Sequence, residues 1–369
     1  MKIAFISNSD HKGGADLSAK KIFNLLDQKK IQKYFFVRFS ITKNKKTIIV
    51  GNNFLNKLRS VLFIPFKKLI NEKDFSLNLL PSFFFTKKQK KKFDIFNFNW
   101  LGSETISLNE IKEINKPLVF ILHDQWLFSG GEHYFNYLKK KRNFFFRILN
   151  KIIVKKKEFI FEKENYYFVC PSLWMARKLR QNKKISIKNV KIIPYPIDKK
   201  IFKPISQIKI RKKLKINTRK KIGLFITATH INDPRKGFDL LQESLQKLKK
   251  KNFELFIVGS NIERVEINHS YISKNLINSK YEVAKIINCS DFLLFPSKAD
   301  NLPNVILESL ACNKPIVAYD IGGINEVVKH KFNGYLAKPF NKDDFSQGIT
   351  YVLKNCKKLS NNISKDKFF

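Results

Sequence analysis

Two carboxylates stand eight positions apart in SKADNLPNVILESLACNKPIVAYDIGG, Ser297 to Gly323: Asp300 just ahead of a segment that reads as a helix, and Glu308 inside it. Pro303 suits the first helical turn, where its missing N–H is not needed, and the apolar run to Cys312 carries the helix on. Asn313 tolerates the left-handed conformation that often follows a helix, and Pro315 blocks continuation before PIVAYD resumes as a buried strand. The residues three and four away from Glu308 are Asn304, Val305, Ala311 and Cys312, none of them cationic. A carboxylate in that company either reaches water as a plain surface residue or takes a hydrogen-bond donor from outside its own helix. Position alone leaves those two readings level.

Three other stretches carry candidate chemistry. Gly13 and Gly14 fall after a first strand and before a helix, where bare backbone N–H groups can meet an anion at the positive helix end; a tight turn explains them equally well, and the G-x-G-x-x-G spacing is absent. In HINDPRKGFDLL, His230 to Leu241, Arg235 and Lys236 precede Gly237 and a new helix, a compact cationic site for a diphosphate or simply a charged turn in a lysine-rich chain. ILHDQWLFSGGEHY, Ile121 to Tyr134, puts His123 and Asp124 at a strand end with Trp126, two glycines and His133 beyond, a pattern that suits an acceptor wall.

The elements that must position these residues alternate. KIAFIS, FDIFNFNW, PLVFILHDQW and NYYFVCPSLWMARKL read as strands followed by loops or helices, and the alternation implies parallel sheet. Around VKIIPYPIDKKIFKP, Val190 to Pro204, prolines break the pattern and a domain boundary falls. It restarts as strand KIGLFITAT, helix GFDLLQESLQKLKK, strand FELFIVGS, helix KYEVAKIINCS, strand DFLLFPS, the Glu308 helix, strand PIVAYD and helix INEVVKH. The chain therefore reads as α/β, two doubly wound Rossmann-like domains facing across a cleft: residues 1–197, with 51–92 as an insertion, residues 198–340, and a helical tail over 341–369 packing back toward the first domain. Ligands of such sheets bind outside the carboxyl ends of the strands.

A length of 369 residues with 43% hydrophobic composition and 36 Phe supports two large cores rather than disorder. Cys170, Cys289, Cys312 and Cys356 are far apart, with no metal or disulfide spacing, which suggests a reducing cytoplasm. The N-terminal apolar run is too short for a signal peptide, and no segment approaches the roughly 18 apolar residues of a membrane span. The formal net charge of +42 points to nucleic acid or anionic membrane, but the abundance of Lys, Asn, Ile and Phe together is also what an AT-rich coding sequence yields. The charge is uneven: Thr86–Phe93 and Tyr137–Phe161 interleave lysines with Phe, Ile and Leu, which fits a membrane-surface segment as well as it fits a solvated face over a core helix.

Six of these motifs in this order resemble glycosyltransferase family 4, the retaining sugar-nucleotide transferases of GT-B fold, over nearly the whole chain and most strongly from Lys220 to Lys338. Asp300 and Glu308 occupy the two positions of that family's E-x7-E element, with Asp for the first Glu. DPRKGFDLL matches its phosphate-binding segment at Lys236, and His230 stands where many members have Arg. GGA, LHDQWLFSGG, PSLWMARKL and IPYPIDKKIFKP match its N-terminal loop, its HD segment and its interdomain approach. The resemblance implies that Glu308 binds the ribose hydroxyls of a nucleotide. Asp300 with the backbone of Asn301, Leu302, Pro303 and Asn304 would hold the donor sugar, Lys236 with Arg235 would stabilise the departing diphosphate, and His123 would touch the sugar from the first domain. Gly13, Gly14 and His230 join the donor set; Asp124, Trp126 and His133 form the acceptor side. It implies a nucleotide-sugar as co-substrate, no cofactor and no metal, and transfer with retention to a saccharide or lipid-linked saccharide in envelope polysaccharide or lipopolysaccharide synthesis. The expected location is cytoplasmic, peripheral on the inner membrane face. Two alternatives stay open: a nucleotide-sugar epimerase or other GT-B enzyme on a soluble substrate, and a basic binding protein without activity, although no nucleic-acid motif is present.

Overall fold

The computed structural model describes residues 1–11, 13–26, 30–41, 45–51, 57–58, 61–70, 75–135, 141–181, 187–216, 219–248, 252–277 and 279–366. They form two compact units, Met1–Tyr195 and Pro196–Phe369.

The first unit holds strands β1 (Lys2–Ile6), β2 (Gln32–Val37), β3 (Thr47–Ile49), β4 (Ile95–Phe98), β5 (Leu118–Ile121), β6 (Tyr166–Cys170) and β7 (Val190–Ile192). They pair in parallel in the order β3-β2-β1-β4-β5-β6-β7. Parallel strands covered on both faces need continuous apolar runs, and KIAFI, IFNF and LVFI supply them. The abundant Phe fills the core edge to face: Phe36 lies against Phe85 with ring centroids 5.0 Å apart, and Phe85 against Phe96 at 5.3 Å. Of the segment 51–92, the described part contains helix Ile64–Ile70, which packs on helix Phe144–Lys157 through Phe63, Ile70, Phe146 and Ile153. It also contains helix Lys87–Lys92, started by a capping box of Thr86 and Gln89.

The second unit is built the same way from β8 (Lys221–His230), β9 (Phe253–Ser260), β10 (Tyr271–Lys274), β11 (Phe292–Phe295), β12 (Ile316–Tyr319) and β13 (Gly334–Ala337), all parallel in the order β10-β9-β8-β11-β12-β13. Between β11 and β12 runs helix Asn304–Ala311, closed by Asn313 at φ 56° as its sequence requires.

One expectation is corrected. INEVVKH forms only a 3-10 turn at Ile324–Glu326, because the buried amide of Asn333 accepts from Lys329 N–H at 2.8 Å and donates to Val327 O at 2.9 Å, turning the chain into β13 before a helix can propagate. The C-terminal helix Lys342–Lys365 buries Phe345, Ile349, Val352, Leu359 and Ile363, and the first four of these join the core cluster of the second unit's own sheet. Strands β2, β3, β7, β10 and β13 were not singled out by periodicity. Leu359→Ala should therefore destabilise the second unit by about 2–5 kcal/mol in denaturant unfolding, the range for a buried Leu truncation, whereas a loosely docked tail would register almost nothing.

Candidate functional site

In the second sheet β8 lies between β9 and β11, so the chain leaves β8 to one side and returns at β11 to build the other. That reversal leaves a crevice at the carboxyl ends of β8 and β11, and the loops after those two strands carry the charged residues. After β8, Asp233 caps a short 3-10 turn by accepting from Arg235 N–H at 3.0 Å, and Gly237 follows at φ 69°. A Cβ on Gly237 would stand 2.0 Å from Pro296 O, so only glycine lets the two loops touch. The loop after β11 is sewn to the first by Ser297 Oγ and Lys298 N–H, both donating to Arg235 O at 3.0 and 2.8 Å.

Across this seam Lys236 Nζ meets Asp300 Oδ2 at 3.0 Å, and Arg235 Nη1 reaches the same oxygen at 3.4 Å while donating to Ala299 O at 3.3 Å. Asp233 Oδ2 stands 3.8 Å from the Arg235 guanidinium. Burial pushes the Lys236 ammonium below its ordinary pKa, the Arg235 charge pushes it the same way, and Asp300 opposes both. The four groups are two cations and two anions, a balanced cluster whose cations are held together by carboxylates.

Helix Asn304–Ala311 starts four residues beyond Asp300 and carries Glu308 half-buried. Asn301 and Leu302 are buried ahead of it, with Asn301 O accepting from Gly323 N–H at 2.7 Å. His230 lies exposed at the end of β8, and the ion cluster is built without it.

The first unit places its candidates on the corresponding strand ends. Gly13 opens helix Gly13–Leu25 at φ 70°, and among the described residues, chain neighbours and the helix's own backbone aside, no atom comes within 4 Å of where a Cβ would stand on Gly13 or Gly14. Behind it Asp16 is buried, accepting from the hydroxyls of Ser7 and Ser9, the latter at 2.9 Å. Burial raises its carboxyl to about 7 against the lowering effect of those hydrogen bonds.

His123 is buried after β5. Its Nε2 lies 3.3 Å from Asn99 Oδ1 and its Nδ1 2.6 Å from the Tyr195 hydroxyl, with the two rings stacked. The Asn99 amide nitrogen donates to Asn97 Oδ1 at 2.9 Å, which fixes its oxygen as the acceptor toward His123. The ring is thus the Nε2–H tautomer with Tyr195 donating to Nδ1, and burial lowers its pKa to about 4, so it is neutral. Both ring nitrogens are engaged, and a side-chain contact with a sugar requires one of these bonds to be exchanged.

The acceptor-side set also differs from expectation. Trp126 is buried rather than a wall: its indole N–H donates to Ser76 O at 3.0 Å, and the Lys157 ammonium sits 3.4 Å over its ring. Asp124 accepts from Trp100 Nε1 at 2.9 Å and His133 Nδ1 at 2.6 Å. Burial pushes its carboxyl up, but the charge and hydrogen bond of His133 outweigh it and hold it below the ordinary value. His133 Nε2 is 2.9 Å from Ser76 Oγ, a Ser-His-Asp chain, yet Ser76 is buried and its Oγ accepts from Ser103 N–H at 3.0 Å, which ties it to the scaffold. Among the described residues no group of three His, Cys, Asp or Glu could hold a metal ion, and the four cysteines are free and buried.

Sequence reasoning missed Tyr195, Asn99, Lys157 and Ser297, whose partners lie far away in the chain, and Asp16, whose partners Ser7 and Ser9 are on the loop just before it. It also passed over Gly322, at φ 59°, where a Cβ would strike Asp300 O at 2.0 Å. The only signal for it was the Gly-Gly pair after the β12 stretch.

Residues 206–367 match the family model of glycosyl transferases group 1. That match lies within the second unit. A relative from Campylobacter jejuni, N,N'-diacetylbacillosaminyl-diphospho-undecaprenol alpha-1,3-N-acetylgalactosaminyltransferase, is 30% identical over 200 residues, 51% of this chain and 50% of that one. An uncharacterized glycosyltransferase of Methanocaldococcus jannaschii is 30% identical over 141 residues, 36% of this chain and 38% of that one. The chain spans 36–50% of the length of the first curated relatives it matches. Sucrose-phosphate synthase from Thermosynechococcus elongatus superposes with a TM-score of 0.72 at 16% identity, covering 98% of this chain and 93% of that one. Anabaena HepE in complex with UDP-glucose does so at 0.69 and 17%, covering 99% and 93%. The fold of the chain is GT-B, and the family match falls in its second half.

Two outcomes follow from this geometry. Gly322→Ala forces both an unfavourable φ and a backbone clash beside Asp300, and should cost at least about 2 kcal/mol in denaturant unfolding; a change within about 0.5 kcal/mol would contradict the close approach. Folded Asp16 keeps its proton up to about pH 7, whereas the unfolded chain releases it near its ordinary value of 3.8, so its contribution to stability falls as pH rises through that window and levels above it. His123, lowered by burial, works in the opposite direction below its unfolded pKa, and comparison with Asp16→Asn removes it from the measurement. Wild-type stability minus that of Asp16→Asn should decline by a few kcal/mol, on the order of the shift, between roughly pH 4 and 7. A flat difference would place a charged carboxylate at that site throughout.

Proposed function

We propose that the protein transfers a sugar from a nucleotide-sugar donor to a saccharide or lipid-linked saccharide acceptor, with retention of anomeric configuration, in the synthesis of an envelope polysaccharide or lipopolysaccharide. The observation that carries this reading is the convergence of Arg235, Lys236 and Asp300 at the topological switch point of a group 1 transferase domain. In such a reaction the nucleoside diphosphate leaves with the largest charge that develops, and a half-dehydrated ammonium fixed at a strand end stabilises it more than water does. Lys236 takes that role with Arg235 as its planar partner. Asp300, released from the cations as the phosphates engage them, becomes an acceptor for donor-sugar hydroxyls. Glu308 accepts from the ribose diol, a pair of donors suited to a carboxylate with no cation on its own helix face.

Retention follows from attack by the acceptor on the face the diphosphate leaves, with the departing phosphate oxygen taking the acceptor's proton. The bond from the anomeric carbon to phosphate breaks, and the bond to the acceptor oxygen forms. His123, neutral and buried, adds no charge of its own to the first unit's strand ends. The acceptor class draws support from the Campylobacter relative, whose name specifies an undecaprenyl-diphosphate-linked sugar. The UDP-glucose complex of HepE supports a nucleotide-sugar donor.

A thermal-stabilisation screen of sugar nucleotides should reveal the donor, since a ligand at 100 times its Kd adds about 2.7 kcal/mol. With that donor, Lys236→Ala should lower turnover by roughly two to three orders of magnitude while leaving the protein folded, and near-normal transfer would remove Lys236 from the phosphate site. Glu308→Gln keeps one acceptor oxygen but loses the charge, so nucleoside diphosphate binding by calorimetry should weaken by about 1.5–3 kcal/mol. Equal affinities would return Glu308 to the ordinary helix surface.

A further inference from the structure

Helix Phe144–Lys157 carries two apolar stripes. One faces inward and is fully occupied: Phe146 and Ile153 are buried against Ile70 and Phe75, Asn150 Oδ1 accepts from Gly131 N–H at 3.0 Å, and the Lys157 ammonium donates to Trp126 O and Gly130 O. These four positions, spaced by four, three and four residues, clasp the loop that carries Asp124 and His133. The other stripe faces outward. Phe145, Ile148 and Ile152 recur at three and four residues and are 49%, 42% and 41% exposed, with Phe144 at 69% beside them. A helix that is apolar on both sides belongs in a core or at a second apolar phase, and this one lies on the surface.

The stripe has a neighbour. Helix Ile64–Ile70 packs alongside, with Leu69 O accepting from Asn143 Nδ2 at 2.8 Å, and exposes Ile64, Phe66 and Leu69 at 46%, 45% and 47%. Neither helix contains an acidic residue, whereas Arg147, Lys151, Lys155 and Lys156 on one and Lys67 and Lys68 on the other supply cations. Among the described residues no helix is long and apolar enough to cross a membrane.

We propose that this two-helix face docks on an anionic lipid surface, with the Phe and Ile stripe entering the boundary between headgroups and acyl chains and the lysines meeting lipid phosphates. The charges select the occupant. A second copy of the chain would bring one cationic face against another, and a nucleic acid would leave four large apolar side chains without a partner. Residues 137–140 of the stretch Tyr137–Phe161 lie outside the described residues, and the face is complete without them. Because the same helix clasps the Asp124–His133 loop from behind, docking sets that loop at a fixed height over the lipid headgroups. The docking itself needs no transferase activity, so its test is independent of the donor site.

The test is sedimentation of the full-length protein with vesicles of phosphatidylcholine alone or with phosphatidylglycerol added, at about 0.15 M salt, where exposed charges beyond roughly 8 Å are screened. Wild type should sediment with the anionic vesicles only. The variant Phe145→Ser, Ile148→Ser, Ile152→Ser keeps every charge and should lose at least about tenfold in partitioning, each of its three exposed side chains having supplied buried apolar area. Lys87→Glu, Lys88→Glu, Lys91→Glu on helix Lys87–Lys92 removes comparable charge elsewhere and should change binding by less than about threefold. Thermal unfolding of both variants without lipid checks that they fold. Unchanged binding by the serine variant, an equal loss in the lysine control, or no sedimentation of wild type would each overturn the proposal. So would a wild type that is dimeric in solution and becomes monomeric on serine substitution.

Discussion

The charged seam between the β8 and β11 loops is the constraint on which the second unit depends. Lys236 and Arg235 are two like charges on adjacent residues, largely withdrawn from water, and burial together with the Arg235 charge holds the Lys236 ammonium below its ordinary pKa. Asp300 makes that arrangement tolerable, and its reach requires the loops to approach so closely that Gly237 and Gly322 admit no Cβ. The sheet topology brings the two strand ends together, the glycines allow the loops to touch, and the ion pairs hold them there. In the proposed reaction the same carboxylate acts as a placeholder: it neutralises the cations until phosphate oxygens of the donor replace it. A site so arranged is preorganised for an anion without leaving two bare cations side by side in the free protein.

The first unit solves a different problem. Its strand ends carry buried polar groups that are almost all neutral or locally paired: a carboxyl with its pKa raised to about 7 at Asp16, an uncharged imidazole at His123, and an Asp124 carboxylate balanced by His133. Two buried cations stand beside them: the Lys157 ammonium, its pKa depressed by desolvation, donates to two carbonyls and sits over the Trp126 ring, and the Arg38 guanidinium donates to Thr105 O, Val50 O and Ser82 O. Tyr195, the last residue of the first unit, donates to His123, so the imidazole tautomer depends on where the connecting segment begins.

Much of this was legible in the sequence because continuous Phe, Ile and Val runs mark buried parallel strands, and Pro303, Asn313 and Gly237 mark helix ends by backbone chemistry alone. Asp300 and Lys236 could be singled out because charged types stand at loop-to-helix junctions, and Glu308 because none of the residues three and four away from it in its helix is cationic. The pairing of Lys236 with Asp300 could not, since 64 residues separate them and only the sheet order makes them neighbours. His123 was read as a ligand contact from its strand-end position, but the claims of Asn99 and Tyr195 on its two nitrogens are tertiary facts. Trp126 looked like an exposed aromatic wall because nothing local reveals that Lys157 covers it. In the helix Lys342–Lys365, Phe345, Ile349, Val352, Leu359 and Ile363 have the spacing of a buried face; periodicity tells that a face is buried, not against which sheet.

The placeholder role of Asp300 is tested most directly by calorimetric titration of nucleoside diphosphates, without sugar, against wild type and Asp300→Asn. If the carboxylate competes with phosphate for Lys236 and Arg235, its neutralisation frees the cations and the bare diphosphate should bind more tightly, by about 1–2 kcal/mol, even as sugar transfer is lost. Unchanged or weaker diphosphate binding by Asp300→Asn would contradict the account, because the carboxylate would then be holding the cations in place for the ligand rather than standing in for it.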